Sequence, residues 1–388
     1  MYLSRRDEKT LEGEFGKGNQ KAMEILLALG EIYGADRLIE IKSAQLSGVS
    51  YKTMGEYGLE FLEEFSRECK VKIKTFLNPC GMDRVRWREM GIDEEFAKKQ
   101  RRLINAYLQM GVEPTLTCTP YYFYEPEFKE HLAWAESSAV IYVNSIFGAR
   151  TNREAGPSAL AAAVIGKTPN YGLHLKENRK AQILVEVKTK LKGSDFGALG
   201  YLVGREIGSK IPYFKGFRAK KDELKALGAA LAASGAVPMF HLERTTPEWR
   251  KAISDVEVLK IERDEIESVY RELNTASDAE LIALGCPHCS LKEIKKIAEI
   301  LDERKNFEKE LWVCTSKFIH EKAKELGYVD IIERFGVVLC DTCMVVSPIE
   351  GKFKSTGVNS GKAACYLPSF SKQKVVFGEI KKLLGEKI

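Results

Sequence analysis

Apolar positions along the chain fall into short clusters that switch period, and the switches mark out its elements. Between Asn19 and Tyr33, Met23, Leu26, Leu27, Leu29 and Ile32 recur at helical spacing, and Gly34 follows as a left-handed terminator. Leu38–Ile41 predicts a short strand and Tyr51–Cys69 a helix; Val71, Ile73 and Thr75, alternating with lysines, predict a second strand. Asp93 can cap a helix running to Gly111. Thr115–Thr117 and Ala139–Val143 then predict strands, each feeding a loop. Pro157 opens the helix Ser158–Ile165, and Gly166 closes it.

The second half repeats the alternation. Strands are expected at Ile183–Val187, Val237–Leu242, Glu280–Leu284, Leu311–Cys314 and Val337–Leu339. Helices are expected at Asp222–Ser234, from Thr246-Pro247 onward, and before Gly327. Another runs from the capping box Ser290-Leu-Lys-Glu293 to about Arg304. Strands alternating with helices predict an α/β protein built on parallel sheets. The Ala/Gly-rich stretch 193–235 is the expected place for a domain boundary. That divides the chain into an α/β region at 1–205, a further α/β domain at 206–330 and a C-terminal segment, 331–388, returning to the core.

Composition adds limits. The chain has 388 residues, 44% hydrophobic and 30% charged, which excludes wholesale disorder and leaves room for two or three domains of about 150 residues. A net charge of +5 over this length makes no case for nucleic acid, although local anion sites stay open. The longest apolar runs, Ala159–Ile165 and Phe335–Cys340, fall well short of the ~18 residues of a membrane span. The first residues carry charge where a signal peptide needs apolar side chains, so a cytoplasmic protein is expected. In a reducing compartment, nine cysteines point to metal, chemistry or plain core.

Context sorts those cysteines. Cys69, Cys314 and Cys365 sit in element interiors or ends as small hydrophobes, and Cys80 lies in an Asn-Pro-Cys-Gly turn. Cys118, Cys286, Cys289, Cys340 and Cys343 lie in loops just past expected strands, the edge where α/β sheets bind ligands. The two C-x-x-C pairs allow a four-thiolate zinc site, but fifty residues separate Cys289 from Cys340, against the ~15–20 of a ribbon. A thioredoxin-like site fits Cys286 and Cys289 locally, in a chain too large for that fold. The third reading is an iron–sulfur cluster with ligands from distant loops.

Two loops offer anion sites. Asn144–Ser158 is expected to run from a strand into a helix N-terminus, with Arg150 and Arg153 as forked donors. Ser355–Lys362 supplies glycines and a lysine charge without the spacing of a nucleotide-binding loop. His131, His174, His241 and His320 stand alone; His288, between two cysteines, could orient a substrate or bond a cluster sulfur.

Taken together, Ser47-Gly-Val-Ser50, Thr117-Cys-Thr-Pro120, Asn144-Ser145, Gly148-Ala-Arg-Thr-Asn-Arg153, Gly156-Pro-Ser-Ala-Leu160, Gly285-Cys-Pro-His288, Asp341-Thr-Cys343 and Asn359-Ser-Gly-Lys-Ala-Ala364 resemble the aconitase X family, in the form of its archaeal large subunit. The resemblance implies an aconitase-like fold: several three-layer α/β/α domains around a central cleft holding an iron–sulfur cluster. It implies Cys118, Cys286 and Cys343 as ligands of a [4Fe-4S] cluster with one iron open to substrate. Ser145, Arg150, Arg153, His288, Ser360 and Lys362 are the expected substrate contacts. The implied reaction is dehydration of a phosphorylated hydroxy acid, 5-phosphomevalonate, with hydroxyproline as the alternative within the family. The general base is expected on a separate small subunit carrying the swivelling domain. A non-catalytic zinc or redox thiol protein is the alternative from another class.

Overall fold

The computed structural model describes residues 1–253 and 255–385. Three parallel sheets carry the architecture, each drawn from one continuous part of the chain. The N-terminal sheet has Ser43–Leu46 at its centre, flanked by Lys74–Leu77 and Ala133–Trp134. The middle sheet runs in the order His241–Leu242, Pro212–Lys215, Ile183–Val187, Val258–Ile261. The C-terminal sheet has five strands, in the order Val337–Leu339, Glu310–Thr315, Leu281–Cys289, Ser355–Val358, Lys374–Phe377. A two-stranded antiparallel ribbon, Leu38–Glu40 with Lys167–Pro169, completes the strands. Helices cover the sheets, as parallel strands buried on both faces require, and the α/β class follows. Among the described residues no helix is long and apolar enough to cross a membrane.

Most expected helices form where their caps lie. Asp93 accepts from the Phe96 N–H at 2.8 Å and opens the helix Glu94–Gln109. The Ser290/Glu293 capping box opens Leu291–Asp302, and Gly166 ends Gly156–Ile165 in the left-handed region.

Ala139–Val143 departs from its expectation: it is helical, within Ser137–Tyr142 and the turn that continues it. The Glu136 carboxylate accepts from the Ala139 N–H at 2.7 Å, and the apolar run is buried on every side. Period therefore gives no guide there, and the cap decides. Thr115–Thr117 is likewise no regular strand. It follows Lys74–Leu77 through the Thr117 N–H on the Leu77 carbonyl, but the Thr115 hydroxyl takes the Leu77 N–H, and Leu116 adopts φ 44°. The helix expected from Thr246-Pro247 shortens to a single turn, Trp249–Lys251.

Residue 205 lies inside the helix Asp195–Ile207 and residue 330 inside Tyr328–Ile332, so neither coincides with a change of sheet. The 193–235 stretch holds two helices, Asp195–Ile207 and Lys221–Gly235, packed along their lengths. The small residues serve that packing: a Cβ built on Gly200 would lie 2.4 Å from the Leu227 carbonyl oxygen. The second helix also packs on Ser137–Tyr142 and Gly361–Ser371, so the pair wedges the flanking regions together. Gly→Ala in an ordinary helix interior stabilises by about 0.5–1 kcal/mol. Gly200→Ala is expected instead to destabilise, by about 1–3 kcal/mol, through overpacking. A thermal melt checks the sign: a raised Tm would contradict the close approach.

Candidate functional site

Strand direction gathers the loops. Loops leaving Leu46, Leu77 and Trp134 in the N-terminal sheet meet loops leaving Cys289, Leu339 and Val358 in the C-terminal sheet. Backbone and side-chain bonds sew them together. The Cys80 N–H donates to the Asp341 carbonyl at 2.8 Å, and the Thr342 hydroxyl to the Cys80 carbonyl at 2.7 Å. Arg84 grips the Asp341 carboxylate with Nε at 2.8 Å and Nη2 at 3.2 Å, and the Ser50 hydroxyl donates to the Val346 carbonyl. The turn cysteine, Cys80, is thus part of the seam that fixes Cys343.

Cys118, Cys286 and Cys343 come together in this seam. All three are buried and none is in a disulfide; Cys343 interacts electrostatically with both Cys118 and Cys286, and all three with Lys362 and Glu136. Burial pushes each thiol up, Cys286 to about 12. The Ser360 hydroxyl, which accepts from the Ala363 N–H at 3.1 Å, lies beside the Cys286 thiol and partly offsets its burial, and the His288 N–H donates to the Cys118 sulfur at 3.2 Å. Gly285 makes the local chain path possible. It has φ 99°, and a Cβ there would lie 2.0 Å from the Cys314 carbonyl oxygen.

His288 is committed to the scaffold. Its Nε2 lies 3.0 Å from the Thr342 carbonyl, which can only accept, so Nε2 carries the proton and Nδ1 accepts from the Thr117 hydroxyl at 2.9 Å. Burial lowers its pKa to about 4, so it is neutral at pH 7. Neither ring nitrogen is left for a substrate, contrary to the expected contact. The ring instead ties the Cys118 loop to the Cys343 loop.

Lys362 and Glu136 form a buried ion pair across the two sheets. Glu136 also accepts from the Ser138 hydroxyl at 2.6 Å and caps its own helix. Burial alone would raise its carboxyl, but Lys362 and these donors outweigh that and hold it below the ordinary range. Burial likewise opposes the Lys362 charge, and Glu136 more than restores it. Glu136 was not among the sequence candidates. Its signal, an acidic residue followed by two serines before an apolar run, was masked by the strand expected at Ala139–Val143.

The other expected contacts lie elsewhere. The Ser145 hydroxyl accepts from the Phe240 N–H at 2.9 Å, Arg150 donates to the His174 carbonyl, and Arg153 is exposed on a different cleft. Cys289 has Glu293, Lys225 and Asp222 as charged neighbours, whereas Cys340 has Asp83, Asp341, Lys317 and Arg86. The two C-x-x-C pairs therefore do not close on one ion. Among the described residues no three His, Cys, Asp or Glu side chains are close enough to hold a single metal ion. Three neighbouring buried thiols are soft donors of the kind that iron–sulfur groups take.

Lys362→Met leaves the Glu136 charge buried and is expected to destabilise the chain by about 3–5 kcal/mol, with Glu136→Leu restoring much of the loss. Because Glu136 is held below its unfolded value, the pair's contribution is complete above about pH 4.3 and falls away as pH drops through the folded pKa. Urea unfolding of the double-mutant cycle measures this; additive losses would contradict the pairing.

Sequence models described as the Aconitase X first, second and third domains match residues 1–177, 181–271 and 279–388. The chain is 53% identical to the phosphomevalonate dehydratase large subunit of Methanocaldococcus jannaschii, covering 99% of both chains. It is 36% identical to a cis-3-hydroxy-L-proline dehydratase of Hypocrea jecorina, covering 98% of this chain and 67% of that protein. A crystal structure of Thermococcus kodakaraensis aconitase X in its holo-form superposes with a TM-score of 0.95 at 48% identity, covering all of both chains. Matched along its length in sequence and in fold, the chain belongs to the aconitase X family.

Proposed function

We propose that this chain is the cluster-carrying large subunit of a hydro-lyase that converts (R)-5-phosphomevalonate to trans-anhydromevalonate 5-phosphate in a modified mevalonate pathway for isoprenoids. The observation that carries the proposal is the convergence of Cys118, Cys286 and Cys343, beside the Lys362 charge, between two facing sheet edges. Substrate choice rests on similarity. The relative named for phosphomevalonate matches end to end at 53%, and the one named for hydroxyproline at 36%.

Dehydrating a β-hydroxy acid means removing a proton beside a carboxylate and expelling hydroxide, a poor leaving group. A [4Fe-4S] group with one iron open to substrate would supply Lewis acidity at that hydroxyl. Cys118, Cys286 and Cys343 are its proposed ligands, with Cys289 and Cys340 as neighbours. Lys362, kept charged by Glu136, and Ser360, at the N-cap of Gly361–Ser371, are the proposed contacts for the substrate carboxylate. The buried seam excludes water from these groups, which strengthens each electrostatic contact. His288 has no free nitrogen to act as base, so the base is assigned to the separate small subunit with its swivelling domain. The enzyme is expected to work in the cytoplasm.

Mixing the anaerobically purified chain with its small subunit is expected to yield water loss from 5-phosphomevalonate but not from hydroxyproline, and none from either chain alone. Turnover of hydroxyproline in preference would overturn the substrate assignment. Cys118→Ala, Cys286→Ala and Cys343→Ala should each lose most bound iron and the activity, while Cys289→Ala and Cys340→Ala retain both. Full iron content in any of the first three would contradict the ligand set.

A further inference from the structure

A second cleft lies at the opposite strand ends from the thiols. It is about 570 Å³ and collects residues just before strands. His131 bridges Arg150 ahead of Ala133–Trp134, Lys176–Lys180 precede Ile183–Val187, and His241 begins its own strand. Trp134 leads on to Glu136 and the thiol seam, so the two sites occupy opposite edges of the N-terminal sheet.

The cleft is strongly cationic. Seven lysine and arginine side chains line it, with two glutamates. Arg179 is already paired with Glu248 at 2.6 Å, and the other six have no carboxylate within ion-pair distance among the described residues. Two buried polar atoms there also lack partners. One is Arg150 Nε, whose guanidinium spends Nη1 on the His174 carbonyl at 2.8 Å. The other is Nδ1 of the fully buried His241.

His241 narrows the chemistry. Its Nε2 lies 2.8 Å from the Arg179 carbonyl, an obligate acceptor, so Nε2 bears the proton and Nδ1 presents a lone pair. Burial lowers its pKa and keeps the ring neutral. The dianion of a phosphate monoester has cationic partners here but no proton for that lone pair, whereas a hydroxyl on its carbon skeleton has one. Phe128, Pro247 and Ala252 add an apolar wall. The volume falls in the range of small-molecule pockets, about 300–1,000 Å³.

From this geometry we infer that the cleft is a second binding site, separate from the thiol seam, for a small phosphate ester carrying a hydroxyl group. The cations take the phosphate, His241 Nδ1 accepts from the hydroxyl, and the apolar wall packs the carbon skeleton. The inference does not depend on the proposed dehydration.

Calorimetric titration of the anaerobically purified chain with glycerol 3-phosphate tests it. One site per chain is expected. Lys176→Glu/Lys180→Glu reverses two exposed cleft charges and should weaken binding about tenfold or more. Lys295→Glu, on a remote exposed helix face, should leave it unchanged. Methyl phosphate, whose dianion has neither a hydroxyl donor nor the glycerol skeleton, should bind about tenfold more weakly than the hydroxylated ester. Cys286→Ala should bind the ester as the parent chain does. Equal affinity in the double variant, no heat at millimolar ester, or loss of binding in Cys286→Ala would each overturn the second site. In the two-subunit enzyme the double variant should keep its KM for 5-phosphomevalonate; a raised KM would assign the cleft to the substrate phosphate and overturn it as well.

Discussion

The buried pair of Lys362 with Glu136 is the contact on which the candidate site depends. Each charge alone would be expensive to bury; together, and with the Ser138 hydroxyl and Ala139 N–H on the carboxylate, both stay ionised. The pair also joins two sheets, because Glu136 leaves the N-terminal sheet and Lys362 the C-terminal one. The same contact therefore sets a charge beside three thiols and holds together the two edges that supply them. His288 works alongside it, bonding Thr117 on one side and Thr342 on the other. Buried polar networks of this kind fix one arrangement when every member is satisfied.

The middle region makes the meeting possible at a distance. Its helices Asp195–Ile207 and Lys221–Gly235 approach closely at small residues, and the second packs on helices from both other regions. Lys225 extends this support into the site, with Nζ 3.0 Å from the His288 carbonyl and an ion pair to Glu293. The middle sheet also forms one wall of the cationic cleft. A single wedge thus borders both the thiol seam and the opposite face.

The sequence was most legible where local chemistry decides. Asp93, Gly166 and the Ser290/Glu293 box begin or end helices by their own hydrogen bonds or backbone freedom, and each does so where expected. Cys118, Cys286 and Cys343 were grouped from family motifs alone; Cys286 and Cys289, expected in a loop past their strand, lie within the strand Leu281–Cys289, which runs farther than the apolar pattern to Leu284 indicated. Where burial decides, reading failed. Ala139–Val143 is β-branched and apolar but wholly enclosed, and only the Glu136 cap reveals the helix. That error hid Glu136 itself, and it made the Asn144–Ser158 loop look like a strand-to-helix anion site. Arg150 instead lies at the far strand edge, because the chain from Arg150 to Gly156 runs back beside Leu132–Ala135. His288 was singled out, as a contact for substrate or a cluster sulfur, but both its ring partners, Thr117 and Thr342, are remote in sequence, so nothing local shows that the ring is occupied.

The account stands or falls on what the three thiols hold. Iron, acid-labile sulfide and zinc measured per chain in anaerobically purified protein test this most directly. Iron and sulfide in matching amounts, with negligible zinc, are predicted. Stoichiometric zinc without sulfide would contradict the account.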